Sequence, residues 1–272
     1  MAGHSGNVLE KIVATRRARI AEAKARAPLA ELETAAAARA DFRDFAAAIS
    51  GSTLRVIAEL KKASPSRGLL RADYGPAGIA RGYEAAEASA LSVLTEEDYF
   101  GGTLEDLRRA REAVRLPVLR KDFIVDEYQV FESAAAGADA LLLIVAALSD
   151  TQLKRLLALS ARLGLAALVE VHDEAELDRA IAAGAKIIGV NNRDLKTLDV
   201  DLATSFRLRP RIPAGCLAVS ESGIQSPADL RRLSEARFDA ALIGERFLSA
   251  ADPGRELAEM LRLAWETARP RK

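Results

Sequence analysis

Cysteine is almost missing from these 272 residues. The single Cys216 excludes an internal disulfide framework and a zinc site built from several cysteines; opening an apolar segment, it reads as a small core residue. Histidine is nearly as scarce. With only His4, near the chain's start, and His172, a mechanism built on histidine is not expected, and His172 reads as a turn or capping residue. No His, Asp and Glu grouping has metal-ligand spacing, so neither a metal nor another cofactor is expected. Net charge is absent too: 39 Lys and Arg balance 39 Asp and Glu. That excludes a global basic field for nucleic acid while leaving room for a local anion site. No stretch has the length and apolarity of a membrane span, and Met1 to Gly6 lead into charged residues rather than a signal-peptide core. The expectation is a cytoplasmic protein with no membrane partner.

What is present is apolar residue in quantity, half of the chain, enough to bury a sizeable core. Residues 8 to 26 set Val8, Leu9, Ile12, Val13 and Ile20 among six basic side chains, an amphipathic basic helix. Its basic side is a solvated face or the border of an anionic ligand site. Pro28 ends it, and the Ala-rich residues 29 to 48 read as further short helices. From residue 55 a rhythm sets in. Strand-like segments near 55–61, 90–95, 116–120, 139–145, 165–171, 186–191, 216–220 and 239–243 alternate with helical patterns, the last from Pro253 to Thr267. Gly137 and Gly184 break helices just before strands, where left-handed caps belong.

Strand alternating with helix in this way predicts an α/β (β/α)₈ TIM barrel over residues 51–272, with an N-terminal helical extension over 1–50 packed on it. The competing open doubly wound sheet calls for a glycine-rich fingerprint after its first strand, and Ala63-Ser64-Pro65-Ser66-Arg67-Gly68 is not one.

In a parallel barrel the C-terminal strand ends share one face, where active sites lie. The first strand brings Glu59 and Lys61 on one side of the chain, with Ser64 in the following turn. An isolated Glu-x-Lys would read as a structural ion pair. Here the third strand adds Lys121, the fifth Glu170, the sixth Asn191 and Arg193, the seventh Glu221 and Ser222, and the eighth Gly244. Two lysines, several carboxylates, an Asn and an Arg converging on one mouth point to acid/base chemistry. Ser222-Gly223 and Gly244-Glu245 sit where this fold closes backbone N–H groups on a phosphate, although glycine there also simply permits a tight turn. Glu245 is an awkward neighbour for an anion, so its side chain is expected to point away. Lys186, at the start of its strand, belongs to the opposite face.

At these residues a resemblance emerges. Glu59-Leu60-Lys61-Lys62-Ala63-Ser64-Pro65-Ser66 resembles the signature of indole-3-glycerol phosphate synthase. The segments Leu91 to Glu96, Arg120 to Asp126, Leu168 to His172, Gly189 to Leu195 and Ser220 to Ile224 are similar to that family's later blocks, in order. The resemblance covers nearly the whole chain, including the helical extension. It implies a lyase of tryptophan biosynthesis, a decarboxylase that closes the ring of 1-(2-carboxyphenylamino)-1-deoxyribulose 5-phosphate with loss of carbon dioxide and water. It implies Lys121 as general acid at the ribulosyl carbonyl oxygen and Glu170 in the proton transfers of dehydration and rearomatisation. Lys61 would pair with the substrate carboxylate and share acid duty; Glu59 and Asn191 would hold the hydroxyl and amine region. Ser64, Ser222, Gly223 and Gly244 would contact phosphate, with Leu242 and Glu245 beside the substrate. Arg193 and Glu221 would support the charges, and Phe123 would pack on the aromatic ring. The partner expected is a small phosphorylated substrate, and the enzyme a monomer or weak homodimer. A barrel lyase using Lys61 or Lys121 as a Schiff-base nucleophile is the rival activity; a non-catalytic barrel binding a sugar phosphate or a protein is the rival class.

Overall fold

The computed structural model describes residues 8–65, 67–195 and 197–266. Eight parallel strands close on themselves: β1 (Arg55–Leu60), β2 (Ala90–Leu94), β3 (Val118–Lys121), β4 (Ala140–Ile144), β5 (Ala166–Val171), β6 (Ile187–Asn191), β7 (Leu217–Glu221) and β8 (Ala240–Ile243). Each pairs with its neighbours in sequence, and β1 pairs with both β2 and β8, which removes every edge and rules out the open sheet. The segments are short apolar runs because both faces are covered, one by the barrel interior and the other by helices.

The helices follow the expected positions: α1 (Val8–Arg26), α2 (Leu29–Ala37), α3 (Phe45–Ile49), α4 (Pro76–Ala85), α5 (Leu104–Ala113), α6 (Glu127–Ala135), α7 (Asp150–Arg162), α8 (Glu174–Ala183), α9 (Ala203–Leu208), α10 (Pro227–Glu235), α11 (Glu245–Leu248) and α12 (Pro253–Trp265). Helix α12 is described through Trp265, and the expected end at Thr267 lies outside the described residues, as does His4. Side chains of Thr103, Asp126, Ser149, Asp173, Ser226 and Asp252 accept backbone N–H bonds at helix starts, fixing the chain's entry from the barrel mouth into each helix. At the other end Gly137 (φ 94°) and Gly184 (φ 87°) take the left-handed turn back toward the sheet. Features not anticipated include helix α11, short 3₁₀ turns at Val145–Ala147 and Arg209–Arg211, and a small antiparallel ribbon pairing Ala63–Ser64 with Gly68–Leu69 just above β1.

The three helices ahead of β1 are fastened at both ends of the barrel. Leu9, Ile12, Val13 and Ile20 bury the apolar stripe of α1, and its cations meet the mouth side: Arg16 reaches Asp122 at 2.5 Å, Arg19 reaches Asp98 at 2.7 Å and Lys24 reaches Asp126 at 2.8 Å. Downstream, Arg39 binds Asp139 at 2.7 Å at the opposite end, where Arg111 shares the same carboxylate at 2.5 Å. The basic face of α1 is therefore divided: Arg16, Arg19 and Lys24 are spent on carboxylates of the barrel loops, and Lys11, Arg17 and Arg26 are exposed to solvent as expected of a solvated face. No described helix is long and apolar enough to cross a membrane.

Candidate active site

The strand phase decides which side chains reach the mouth. In β3, Leu119 and Lys121 point inward, whereas Arg120 points outward and is wholly buried against α6, bonded to Asp122, Glu132, the Gln129 carbonyl and Ser133. The adjacent cations of the Arg120-Lys121 pair thus do unrelated work. Glu59, Lys121, Glu170 and Glu221 come from β1, β3, β5 and β7, the alternate-strand layering of this barrel, with the topmost layer made ionic. The intervening strands supply Leu94, Ile144, Asn191 and Leu242.

These groups line a cavity of about 480 Å³ at the C-terminal ends of the strands. Lys121 Nζ lies 3.2 Å from Glu170 Oε2 and in closer contact with Glu221 Oε2. Lys61 Nζ lies 2.7 Å from Glu59 Oε1, so the structural ion pair and the mouth residue are the same object. Burial pushes the Lys121 ammonium down, but Glu221, Glu170 and Glu59 together outweigh it and hold the group charged, well above the usual lysine range. Burial likewise raises Glu170, yet Lys121, His172 and a hydrogen bond with Asn191 hold it ionised, below the usual carboxylate range. Glu221 goes the other way. Buried, with Glu170 and Glu59 repelling its charge, it is pushed up to about 7 despite Lys121. One layer thus holds a fixed cation, a fixed anion and a carboxyl group that titrates near neutrality, the spread of proton affinities that acid/base chemistry uses.

Around this layer Phe123 lines the cavity with Phe100, their ring centroids 6.2 Å apart. Arg193 is anchored by its own N–H to Asn191 Oδ1 (3.0 Å) and by its guanidinium to the Leu198 carbonyl (3.0 Å). Ser222 and Gly223 both take left-handed backbone, φ 66° and 78°, and border the cavity with Leu242 and Gly244. Positive φ at a serine is strained, and Asn192 holds it there: its side-chain amide donates to the Glu221 and Ser222 carbonyls, at 2.9 and 3.0 Å. Ser64 is buried in the small ribbon and is not among the residues lining this cavity.

Two expectations need correcting. Glu245 does not point away: its carboxylate lines the cavity, 3.0 Å from Arg67 and 3.6 Å from Arg193, because two guanidinium groups flank it. His172 is more than a turn residue. Its ring is mostly buried between Glu170, near the end of β5, and Glu176, in the first turn of α8. Sequence reading also missed Asn192, Gly189 and the ribbon. Only Asn192 carried a signal, as the second half of an Asn-Asn pair.

Residues 9–260 match the family model described as indole-3-glycerol phosphate synthase. The chain is 51% identical over 261 residues to the indole-3-glycerol phosphate synthase of Polaromonas sp. strain JS666, covering 94% of this chain and 99% of that one. It is 51% identical over 259 residues to the synthase of Laribacter hongkongensis, covering 93% and 98%. Among solved structures, 3-hexulose-6-phosphate synthase from Salmonella typhimurium superposes with a TM-score of 0.61 at 13% identity, over 78% of this chain and 100% of that one, a likeness of fold alone.

Proposed function

The chain belongs to the indole-3-glycerol phosphate synthase family, and we propose that the charged layer at its mouth carries the family's reaction. It is a carboxy-lyase of tryptophan biosynthesis that acts on a phosphorylated small molecule, closing the ring of 1-(2-carboxyphenylamino)-1-deoxyribulose 5-phosphate with loss of carbon dioxide and water. What carries the assignment of residues is Lys121, a buried ammonium held between Glu170 and Glu221 at the floor of the cavity.

In this reading Lys121 directs its charge and a proton at the ribulosyl carbonyl oxygen, so that the anthranilate ring carbon attacks and its carboxylate leaves as carbon dioxide. The hydroxyl so formed departs as water with a proton from Lys121 or Lys61. Glu170, already ionised, takes up the proton that the newly closed five-membered ring loses as the hydroxyl departs and that ring becomes aromatic. Lys61 pairs with the substrate carboxylate, Glu59 and Asn191 hold the hydroxyl and amine region, and Phe123 packs on the aromatic ring. The phosphate goes to Ser222, Gly223 and Gly244, with Arg193 and Leu242 alongside and Glu221 and Glu245 completing the charged wall. A Schiff-base lysine would have to be neutral before attack, whereas Lys121 is held charged, which disfavours the nucleophile reading. The working unit in this reading is a monomer or weak homodimer, and the biosynthetic role supports a cytoplasmic enzyme.

Incubating the protein with that ribulose phosphate should produce indole fluorescence. In Lys121→Ala, turnover should fall at least about a hundredfold, the size of a general acid's contribution, with an unchanged circular dichroism spectrum. Ordinary turnover in that variant removes Lys121 from the mechanism, and borohydride trapping of a lysine adduct would favour the aldolase-like rival.

A further inference from the structure

Glu170 has a neighbour that the proposed chemistry does not use. His172 lies two residues on in the chain, so β5 and the turn after it send both side chains toward the same region. Its Nε2 stands 3.3 Å from Glu170 Oε1, and its Nδ1 stands 2.9 Å from Glu176 Oε2 on α8. The same Glu176 oxygen accepts the His172 backbone N–H at 2.9 Å, so the ring is fixed at two points before it meets Glu170. Nε2 is buried and off the line of a good hydrogen bond; it has no other polar partner among the described residues. The contact is that of a charge aimed at a carboxylate.

We propose that His172 is a positioning residue for Glu170: its imidazolium, braced by Glu176, pins Oε1 of that carboxylate and leaves Oε2 turned toward Lys121. The proposal rests on the reading of Glu170 as the base. Physically, a carboxyl group rotates about its last bond with little resistance, and a base displaced by about 1 Å can lose about a hundredfold in rate. With Oε1 held from behind, Oε2 is the oxygen presented to the cavity. The charges facing the ring are Glu170 from β5 and Glu176 from α8, and those facing Glu170 are Lys121 from β3 and Glu221 from β7, with Asn191 from β6 as a neutral partner. Two carboxylates flank the ring, so burial notwithstanding it stays protonated up to about 10.

The test uses His172→Ala, His172→Gln, Glu176→Gln and Glu170→Gln, with kcat and KM measured separately and the imidazole followed by NMR, where a chain with two histidines gives two signals. Expected results are a kcat reduced about tenfold or more in His172→Ala with KM within about twofold. His172→Gln, whose amide can still donate, should recover part of the loss. In the parent protein the His172 signal should stay that of an imidazolium through pH 8, and Glu170→Gln should shift its titration downward. Wild-type kcat in His172→Ala overturns the proposal, as does a loss confined to KM, no recovery in His172→Gln, or an imidazole titration indifferent to Glu170→Gln. If Glu170→Gln itself turns over normally, the assignment of Glu170 as base fails and the positioning role fails with it; an inactive Glu170→Gln beside a fully active His172→Ala rejects the positioning role alone.

Discussion

Gly189 on β6 has no β-carbon because Glu221 on β7 occupies that volume: a methyl group built there would overlap Oε1 of the carboxylate and lie 3.1 Å from Leu168. Gly244 stands in the same relation to Glu59, whose β-carbon is 2.8 Å from where its own would be. Two carboxylates of the charged layer thus owe their places to glycines, Gly189 within β6 and Gly244 at the junction of β8 and α11, and neither takes the positive φ that would by itself call for glycine.

The first consequence concerns Gly189. Gly189→Ala should displace Glu221, cost about 1–3 kcal/mol of stability through overpacking, and lower kcat. Shortening the intruding side chain should compensate, so Gly189→Ala with Glu221→Asp should be more stable than the sum of the single effects allows. Strict additivity in urea unfolding would show that the two residues do not compete for space.

A second concerns pH. Glu221 is lifted from an ordinary 4.5 to about 7, so the folded state binds that proton more tightly than the unfolded chain does. Its contribution is present at pH below 4.5 and falls as pH rises through about 7. His172, lifted from 6.5 to about 10, contributes stability fully present below 6.5 and lost as pH rises through about 10. Unfolding free energies of the parent protein minus those of Glu221→Gln should therefore decline from pH 4.5 to 7, and minus those of His172→Gln from pH 6.5 to 10. Differences that stay flat across these windows contradict the placements.

The third concerns the helical extension. Arg16 and Asp122 are both buried and 2.5 Å apart, and Asp122 directly follows Lys121. Arg16→Ala leaves Asp122 with Arg120 and Thr95, so the loss should sit near the low end of breaking a buried pair, about 3 kcal/mol. Because the pair ties α1 to the end of β3, kcat should fall as well, by several-fold. A variant with parent stability in urea and parent kcat would sever that link.

The repeating alternation of strand and helix, the glycine breaks at Gly137 and Gly184, and the inward phase of Glu59, Lys121, Glu170, Asn191 and Glu221 were legible from the chain alone, because periodicity and chain direction are local properties. A residue ending an apolar run in a parallel barrel faces the mouth whatever its distant neighbours are. Which charge meets which was not legible. Lys121 sits between Glu170 and Glu221 because β3, β5 and β7 contribute to one layer, a consequence of closure. Arg120, adjacent to Lys121, turns out to be structural because it faces α6. Glu245 finds Arg67 and Arg193 across two loops. The sequence by itself determined the barrel and the identity of the groups delivered to its mouth. The tertiary structure decided their protonation, since that depends on burial and on charges a few ångströms away, and those distances exist only in the closed fold.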